Sequence, residues 1–157
     1  MEKNKIKIVF FGTPEFSVPI LETLVRRNYK IVSVVTKPDE PIGRKQTIAP
    51  PPVKIFAQKL EIPVLQPEKL KDENFTNQIK NLAPDLIIVA AYGKIIPKAI
   101  LNIPRFGTIN VHGSLLPAWR GASPIQYAIL NGDKETGVTI MLIDEEMDHG
   151  ALISKSQ

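Results

Sequence analysis

Asp85-Leu-Ile-Ile-Val-Ala-Ala91, closed by Tyr92-Gly93, is the stretch on which the fold turns. Its apolar residues follow one another without polar alternation, and the run is far too short to span a bilayer. It predicts a central strand buried on both faces, the kind found in parallel sheets. Toward the amino end, Ile6-Lys-Ile-Val-Phe-Phe11 is a second such run, closed by Gly12. Beyond the Thr13-Pro14-Glu15-Phe16 turn, Ser17 reads as a helix cap, with Pro19 tolerated in the first turn. Ile20, Leu21, Leu24 and Val25 then recur at helical spacing, and Lys30 to Thr36 predicts another strand.

Val53, Phe56, Ala57 and Leu60 form an amphipathic helical stripe. A brief strand at Pro63-Val64-Leu65 and a helix from Asp72 to Leu82 lead into the central run. On its far side come a short helix at Pro97 to Leu101, a strand bearing Asn110 and His112, and a helix at Pro124 to Leu130 stopped by Asn131-Gly132. Gly137 to Ile143 and Ala151 to Ser154 predict a hairpin around an acidic turn. Alternating strand and helix predicts an α/β, Rossmann-like, mostly parallel sheet with right-handed crossovers and helices on both faces. No internal repeat or linker interrupts residues 1–157, so one domain is expected.

Lys37 to Pro52 stands apart. Pro38, Pro41, Gly43 and Pro50-Pro51-Pro52 predict an exposed, partly extended loop, long for a compact domain and therefore a functional candidate. Arg44 and Lys45 tip it, flanked by Lys37 and Lys54. Composition favours a solvated loop, and phosphate contact is the functional option.

Of 157 residues, 43% are hydrophobic, which suits a domain with a real core. The absence of cysteine excludes disulfides and thiolate metal sites. Met1-Glu-Lys-Asn-Lys5 leads almost directly into a strand and leaves no room for a targeting segment, so a cytoplasmic protein that does not enter membranes is expected. Twenty basic against sixteen acidic residues give a net charge of +4, which permits a polyanionic partner without demanding one.

The chemistry concentrates in Gly107-Thr-Ile-Asn-Val-His-Gly-Ser-Leu-Leu-Pro117. Alternate strand residues share a face, so Asn110 and His112 should emerge side by side. Gly113 would then break the strand and let backbone approach a ligand. At the carboxyl end of a parallel strand, an amide donor beside a titratable ring suits polarising a carbonyl and moving a proton. Asp148 could reach that ring from Asp144-Glu-Glu-Met-Asp-His-Gly150, although three other carboxylates share the turn. His149 reads as a solvated loop side chain, and two histidines without cysteine give no metal-ligand spacing. Gly12-Thr-Pro-Glu-Phe16 lies where a dinucleotide fold would hold a glycine-rich turn. A single glycine followed by Pro14 argues against a phosphate cradle and for a turn that lines a pocket. Trp119 could pack on the next helix or stack on a ligand.

Together these residues resemble the methionyl-tRNA formyltransferase family. Phe11-Gly-Thr-Pro-Glu-Phe16 with Pro19 and Leu21 is similar to its opening motif. Asn110-Val-His-Gly-Ser-Leu-Leu-Pro117, Arg120-Gly-Ala122 and Pro124-Ile-Gln126 are similar to its central one, and Gly137-Val-Thr-Ile-Met141 with Asp148 and Gly150 extends the likeness. His-Gly rather than His-Pro before Ser-Leu-Leu-Pro favours this family over its purine-biosynthesis cousin. The resemblance implies formyl transfer from 10-formyltetrahydrofolate to the α-amino group of methionyl initiator tRNA, by a monomer without metal. It assigns Asn110, His112 and Asp148 as the catalytic trio. It also implies a folate pocket lined by Ser114, Leu115, Leu116, Pro117, Val89, Ala90, Ala91, Tyr92 and Asp144, and tRNA contact through Arg44 and Lys45. Ala118, Ser123 and His149 depart from the family pattern. The family continues past the position of Gln157 into the rest of this domain and a β-barrel domain, so a partial catalytic domain is expected. A sugar-nucleotide N-formyltransferase and a noncatalytic nucleotide-binding module are the alternatives.

Overall fold

The central run and the amino-terminal strand pair in parallel, with Ile88 opposite Phe10 and Ala90 opposite Gly12. The computed structural model describes residues 5–44, 46–144 and 150–157. In chain order its elements are β1 (Lys7–Gly12), α1 (Ser17–Arg26), β2 (Lys30–Val35), β3 (Glu40–Ile42), β4 (Thr47–Ala49), α2 (Pro52–Lys59), β5 (Val64–Leu65), α3 (Glu73–Leu82), β6 (Leu86–Ala90), α4 (Lys98–Leu101), β7 (Thr108–His112), α5 (Pro124–Leu130), β8 (Val138–Leu142) and β9 (Leu152–Ser156). Among the described residues the main sheet has seven strands in the order β5-β2-β1-β6-β7-β8-β9. The first five pair in parallel, and β8 and β9 add an antiparallel hairpin at one edge.

Side-chain alternation along the strands sorts the core onto two faces. Val9, Phe11, Val35, Ile87 and Val89 pack with Phe75 and Ile79 of α3 and with Ile100 and Leu101 of α4. Ile8, Phe10, Val34, Ile88 and Ala90 pack with Leu21 of α1 and with Val53 and Ala57 of α2. Helices therefore cover both faces, as expected. The parallel strands direct all their carboxyl ends to one edge, where the segments after Gly12, Val35, Ala90 and His112 emerge.

The chain builds outward from β1 first through β2 and β5, then in the opposite direction through β6 and β7. Such a reversal ordinarily opens a ligand crevice between the two central strands. Here two hydrogen bonds seam it. Thr13 Oγ1 donates to the Tyr92 carbonyl at 3.0 Å, and Ser17 Oγ donates to the Ala90 carbonyl at 2.6 Å.

Two local expectations are corrected, at Ser17 and in the proline-rich segment, and Gly12 gains a structural reason. Ser17 is not a cap: Phe16 holds the N-cap position without a side-chain bond, and Ser17, fully buried as the first helical residue, fastens α1 to β6. Within the Gly12–Phe16 turn, Gly12 is a packing position, because a Cβ there would stand 2.7 Å from the Phe10 ring and 2.8 Å from Ser17 Cβ. The proline-rich segment contains a hairpin, β3 against β4 with Pro41 opposite Ile48. Three-residue strands fall below the length at which alternation can be read, and an isolated ribbon tolerates the donor missing at Pro41. Gly43 turns the tip at φ +66°.

The hairpin's root is fixed. Lys54 Nζ donates to both Asp39 oxygens at 2.7 and 2.8 Å, while Gln66 Nε2 donates to Asp39 Oδ1 at 2.7 Å and to the Lys37 carbonyl at 2.8 Å. The Gln66 hydrogen bond, then Lys54, holds the Asp39 carboxyl below its usual range. Among the described residues no helix is long and apolar enough to cross a membrane.

Candidate active site

Thr108, Asn110 and His112 share one face of β7, while Ile109 and Val111 face the α1 side. Register places Asn110 opposite Val89 on one neighbour and Met141 on the other, and His112 opposite Thr139. Asn110 is half-buried and His112 is 6% exposed. The imidazole does not stand open, because the following loop, residues 113–123, folds over it. Its Nε2 lies 3.1 Å from the Trp119 carbonyl oxygen. A carbonyl only accepts, so Nε2 must carry a proton, and the neutral ring has its lone pair on Nδ1.

The loop is held from several sides. Ser114 Oγ donates to the Ala118 carbonyl at 2.6 Å. Thr139 Oγ1 donates to the Ser114 carbonyl at 2.7 Å and accepts from the Leu116 amide at 3.0 Å. Lys155 Nζ donates to the Leu116 carbonyl, and the Leu116–Pro117 peptide bond is cis. Thr139 and Lys155 hold this loop by hydrogen bonds that sequence reasoning did not assign. Both lie on the late hairpin, and only its register against β7, invisible in one sequence, carries them to the loop.

A Cβ at Gly113 would meet the Ile125 side chain at 3.2 and 3.3 Å and the Phe16 ring at 3.6 Å, so the missing side chain makes room for these two neighbours. Trp119 packs on the next helix: its indole stacks on Tyr127 at 5.8 Å, with planes 8° apart, and Nε1 donates to Asp133 Oδ2 at 2.6 Å.

The family described as formyl transferase matches residues 5–157. The chain belongs to the formyl transferase family. Within it, the chain is 56% identical over 149 residues to the methionyl-tRNA formyltransferase of Bacillus pumilus, covering 95% of this chain and 47% of that protein. It is 54% identical over 152 residues to the enzyme of the same name from Acetivibrio thermocellus, covering 97% and 49%. The chain thus spans about half the length of the curated relatives it matches. Phosphoribosylglycinamide formyltransferase from Bacillus halodurans superposes with a TM-score of 0.74 at 24% identity, over 96% of this chain and 78% of that one, which shows a shared fold.

The remaining residues singled out in this formyl transferase chain divide by place. Ala91, Pro117 and Asp144 are exposed and Leu115 is half-buried. Val89, Ala90, Tyr92, Ser114 and Leu116 are enclosed by protein, Tyr92 within the α3–α4 side of the core. Burial pushes the Tyr92 phenol up to about 12. Arg44 is exposed at the hairpin tip, on the edge from which the loop after His112 also emerges. Asp148, His149 and Lys45 lie outside the described residues. Among the described residues no three His, Asp or Glu side chains gather as a metal site. Two cavities lie away from the Asn110–His112 pair. One of about 490 Å³ is lined by Leu65 and Phe75, and one of about 520 Å³ lies between α1 and the opposite face of β6 and β7.

Proposed function

We propose that this chain is the formyl-transferring part of a methionyl-tRNA formyltransferase, moving a formyl group from 10-formyltetrahydrofolate to the α-amino group of methionine on initiator tRNA. The observation that carries the reading is the Asn110–His112 pair, on one face at the carboxyl end of β7, within a chain 53–56% identical to enzymes of that name. As the amine adds to the formyl carbon, a C–N bond forms and the carbonyl oxygen gains negative charge. The Asn110 amide and an N–H of the His112 ring donate to that oxygen, in a partly dry site where such donors count for more than in water. Asp148 supports the charged ring and helps take the proton that the amine loses. Collapse breaks the bond from the formyl carbon to the folate nitrogen, which receives a proton.

Ala91, Leu115, Pro117 and Asp144 supply the accessible part of the donor's pocket. Apolar side chains and backbone groups predominate there, which suits a flat heterocycle. Arg44 and Lys45 meet the phosphates of the acceptor stem. Folate donor, initiator tRNA and cytoplasmic setting all belong to this reading.

A nucleotide-binding module is disfavoured by the seam. The Ser17 and Val18 amides that would meet a phosphate already donate to the Pro14 and Glu15 carbonyls at 3.0 Å. The test is a chimera of this chain with the second half of the Bacillus pumilus relative. His112→Ala and Asn110→Ala should each lower kcat by about 10²-fold or more, the scale of losing an oxyanion donor. Near-normal turnover of both variants would overturn the assignment. Formylation of amino sugars in preference to charged initiator tRNA would favour the sugar-nucleotide alternative.

A further inference from the structure

Lys37 is a cation folded back onto the protein where a surface lysine would reach into water. It stands two residues past β2 and is half-buried. Its backbone is fixed from both sides. The preceding Thr36 amide donates to the Leu65 carbonyl at 3.0 Å, the Lys37 carbonyl accepts from Gln66 Nε2 at 2.8 Å, and Pro38 disfavours helical backbone before it. The side chain then lies against the loop that follows β6. A Cβ on Gly93 would stand 3.0 Å from Lys37 Cε and 3.2 Å from its Nζ, so the glycine, at φ +80°, leaves room for the end of the lysine. Thr13, just past β1, bonds the Tyr92 carbonyl beside that glycine. The ammonium therefore sits where the segments leaving β2, β1 and β6 converge, on the carboxyl edge of the sheet.

Among the described residues no hydrogen bond or ion pair engages Lys37 Nζ. The carboxylate nearest in sequence, Asp39, is committed to Lys54 and Gln66. Lys94, on the same loop as Gly93, donates instead to the Glu68 carbonyl at 3.1 Å. A half-buried ammonium gives up part of its hydration, a cost that an incoming anion offsets. We propose that Lys37 binds the phosphate of the acceptor's terminal nucleotide and so guides the esterified methionine toward the Asn110–His112 pair. The proposal rests on the reading of this chain as part of a methionyl-tRNA formyltransferase. Methionine hangs from the terminal ribose, so the phosphate of that nucleotide is the anion covalently nearest to the reacting amine. The β3–β4 hairpin leaves from β2 and the Asn110–His112 pair lies on β7, with the Lys37 ammonium between them beside the β6 loop. Leu115, Pro117 and Asp144, on the donor's side, follow β7 and β8, in the other direction along the sheet. An ammonium is a compact point charge that suits a phosphate, and partial burial strengthens the attraction.

The test uses the chimera and measures binding as well as turnover. Lys37→Met keeps a long stem and removes the charge. It should weaken binding of initiator tRNA ~10-fold at low salt and lower the slope of log affinity against log salt by about 0.7–0.9. Lys37→Gln should repeat that loss, and Lys37→Arg, which keeps the charge, should recover most of the affinity. Neither neutral variant should lose anything on initiator tRNA that lacks its terminal nucleotide, because the phosphate is already gone. The KM for methionyl-tRNA should rise ~10-fold while that for 10-formyltetrahydrofolate stays unchanged. Equal weakening on intact and shortened tRNA places the contact elsewhere on the acceptor and overturns the terminal-phosphate assignment. A raised folate KM with tRNA binding unaltered makes the anion a carboxylate of the donor's glutamate and overturns it as well. Unaltered binding and KM in every variant removes Lys37 from the site and leaves the functional reading intact. A parent chimera that binds tRNA yet transfers no formyl group to it overturns the functional reading itself.

Discussion

Tyr92 carries a polar atom that its position does not use. Its ring meets Phe11 edge-on at 5.2 Å, it is 1% exposed, and its hydroxyl is buried with no hydrogen-bond partner among the described residues. Burial disfavours the phenolate, which is why its titration is pushed up to about 12. The sign follows from proton counting. Above about pH 10 the unfolded chain loses this proton while the folded one keeps it, so stability falls as pH rises toward the folded value. By pH 12 the loss from this residue should be roughly 2–3 kcal/mol. Tyr92→Phe should leave stability at pH 7 unchanged or slightly higher, since an unmade hydrogen bond is removed, and should flatten the alkaline decline. Urea unfolding from pH 7 to 11 checks this, and an equally steep decline in the variant would show that other groups cause it. At this scale the sequence told much about Asn110 and His112, because strand alternation fixes their common face. It did not assign the contacts of Asp133, Thr139 or Lys155, which reach 14 to 39 residues along the chain.

At the level of elements, unbroken apolar runs placed β1, β6 and the parallel sheet, and helical stripes placed α1, α2 and α3. The misread details share one physical cause: a local signal with two uses. Ser17 has the chemistry of a cap, yet a nearby strand end offered its hydroxyl a buried carbonyl. Gly12 ends a strand as a ligand-binding glycine would, yet the absence of its side chain lets α1 approach β1. The second point predicts a measurable cost. In Gly12→Ala the added methyl must displace the Phe10 ring and the start of α1, both fully packed, and overpacking of this kind costs typically ~1–3 kcal/mol. The loss should appear as a lower urea midpoint with an unchanged slope. A midpoint equal to that of the parent would mean that α1 shifts freely, and the close approach would then be a consequence of glycine rather than a requirement for it.

Over the whole molecule, the excess of +4 is too small to hold a polyanion by average charge, so placement decides. The β3–β4 hairpin extends from the carboxyl end of β2, and parallel pairing brings that end to the same edge as the loop covering His112. Around the hairpin, Lys54 is engaged by Asp39, whereas Arg44 is exposed at the tip. Arg26, paired with Glu22 at 2.8 Å, sits at the end of α1, near the amino ends of the strands. If tRNA lies across the carboxyl edge, Arg44 contacts phosphate and Arg26 does not. Each phosphate contact contributes ~0.7–0.9 to the slope of log affinity against log salt. Arg44→Ala in the chimera should therefore weaken tRNA binding at low salt and reduce that slope by about 0.7–0.9, while Arg26→Ala should leave the slope unchanged. Titrations at several salt concentrations separate a lost contact from a general loss of charge, because both variants remove one positive charge. Equal slopes for the two variants would move the tRNA path away from the hairpin without touching the assignment of the Asn110–His112 pair.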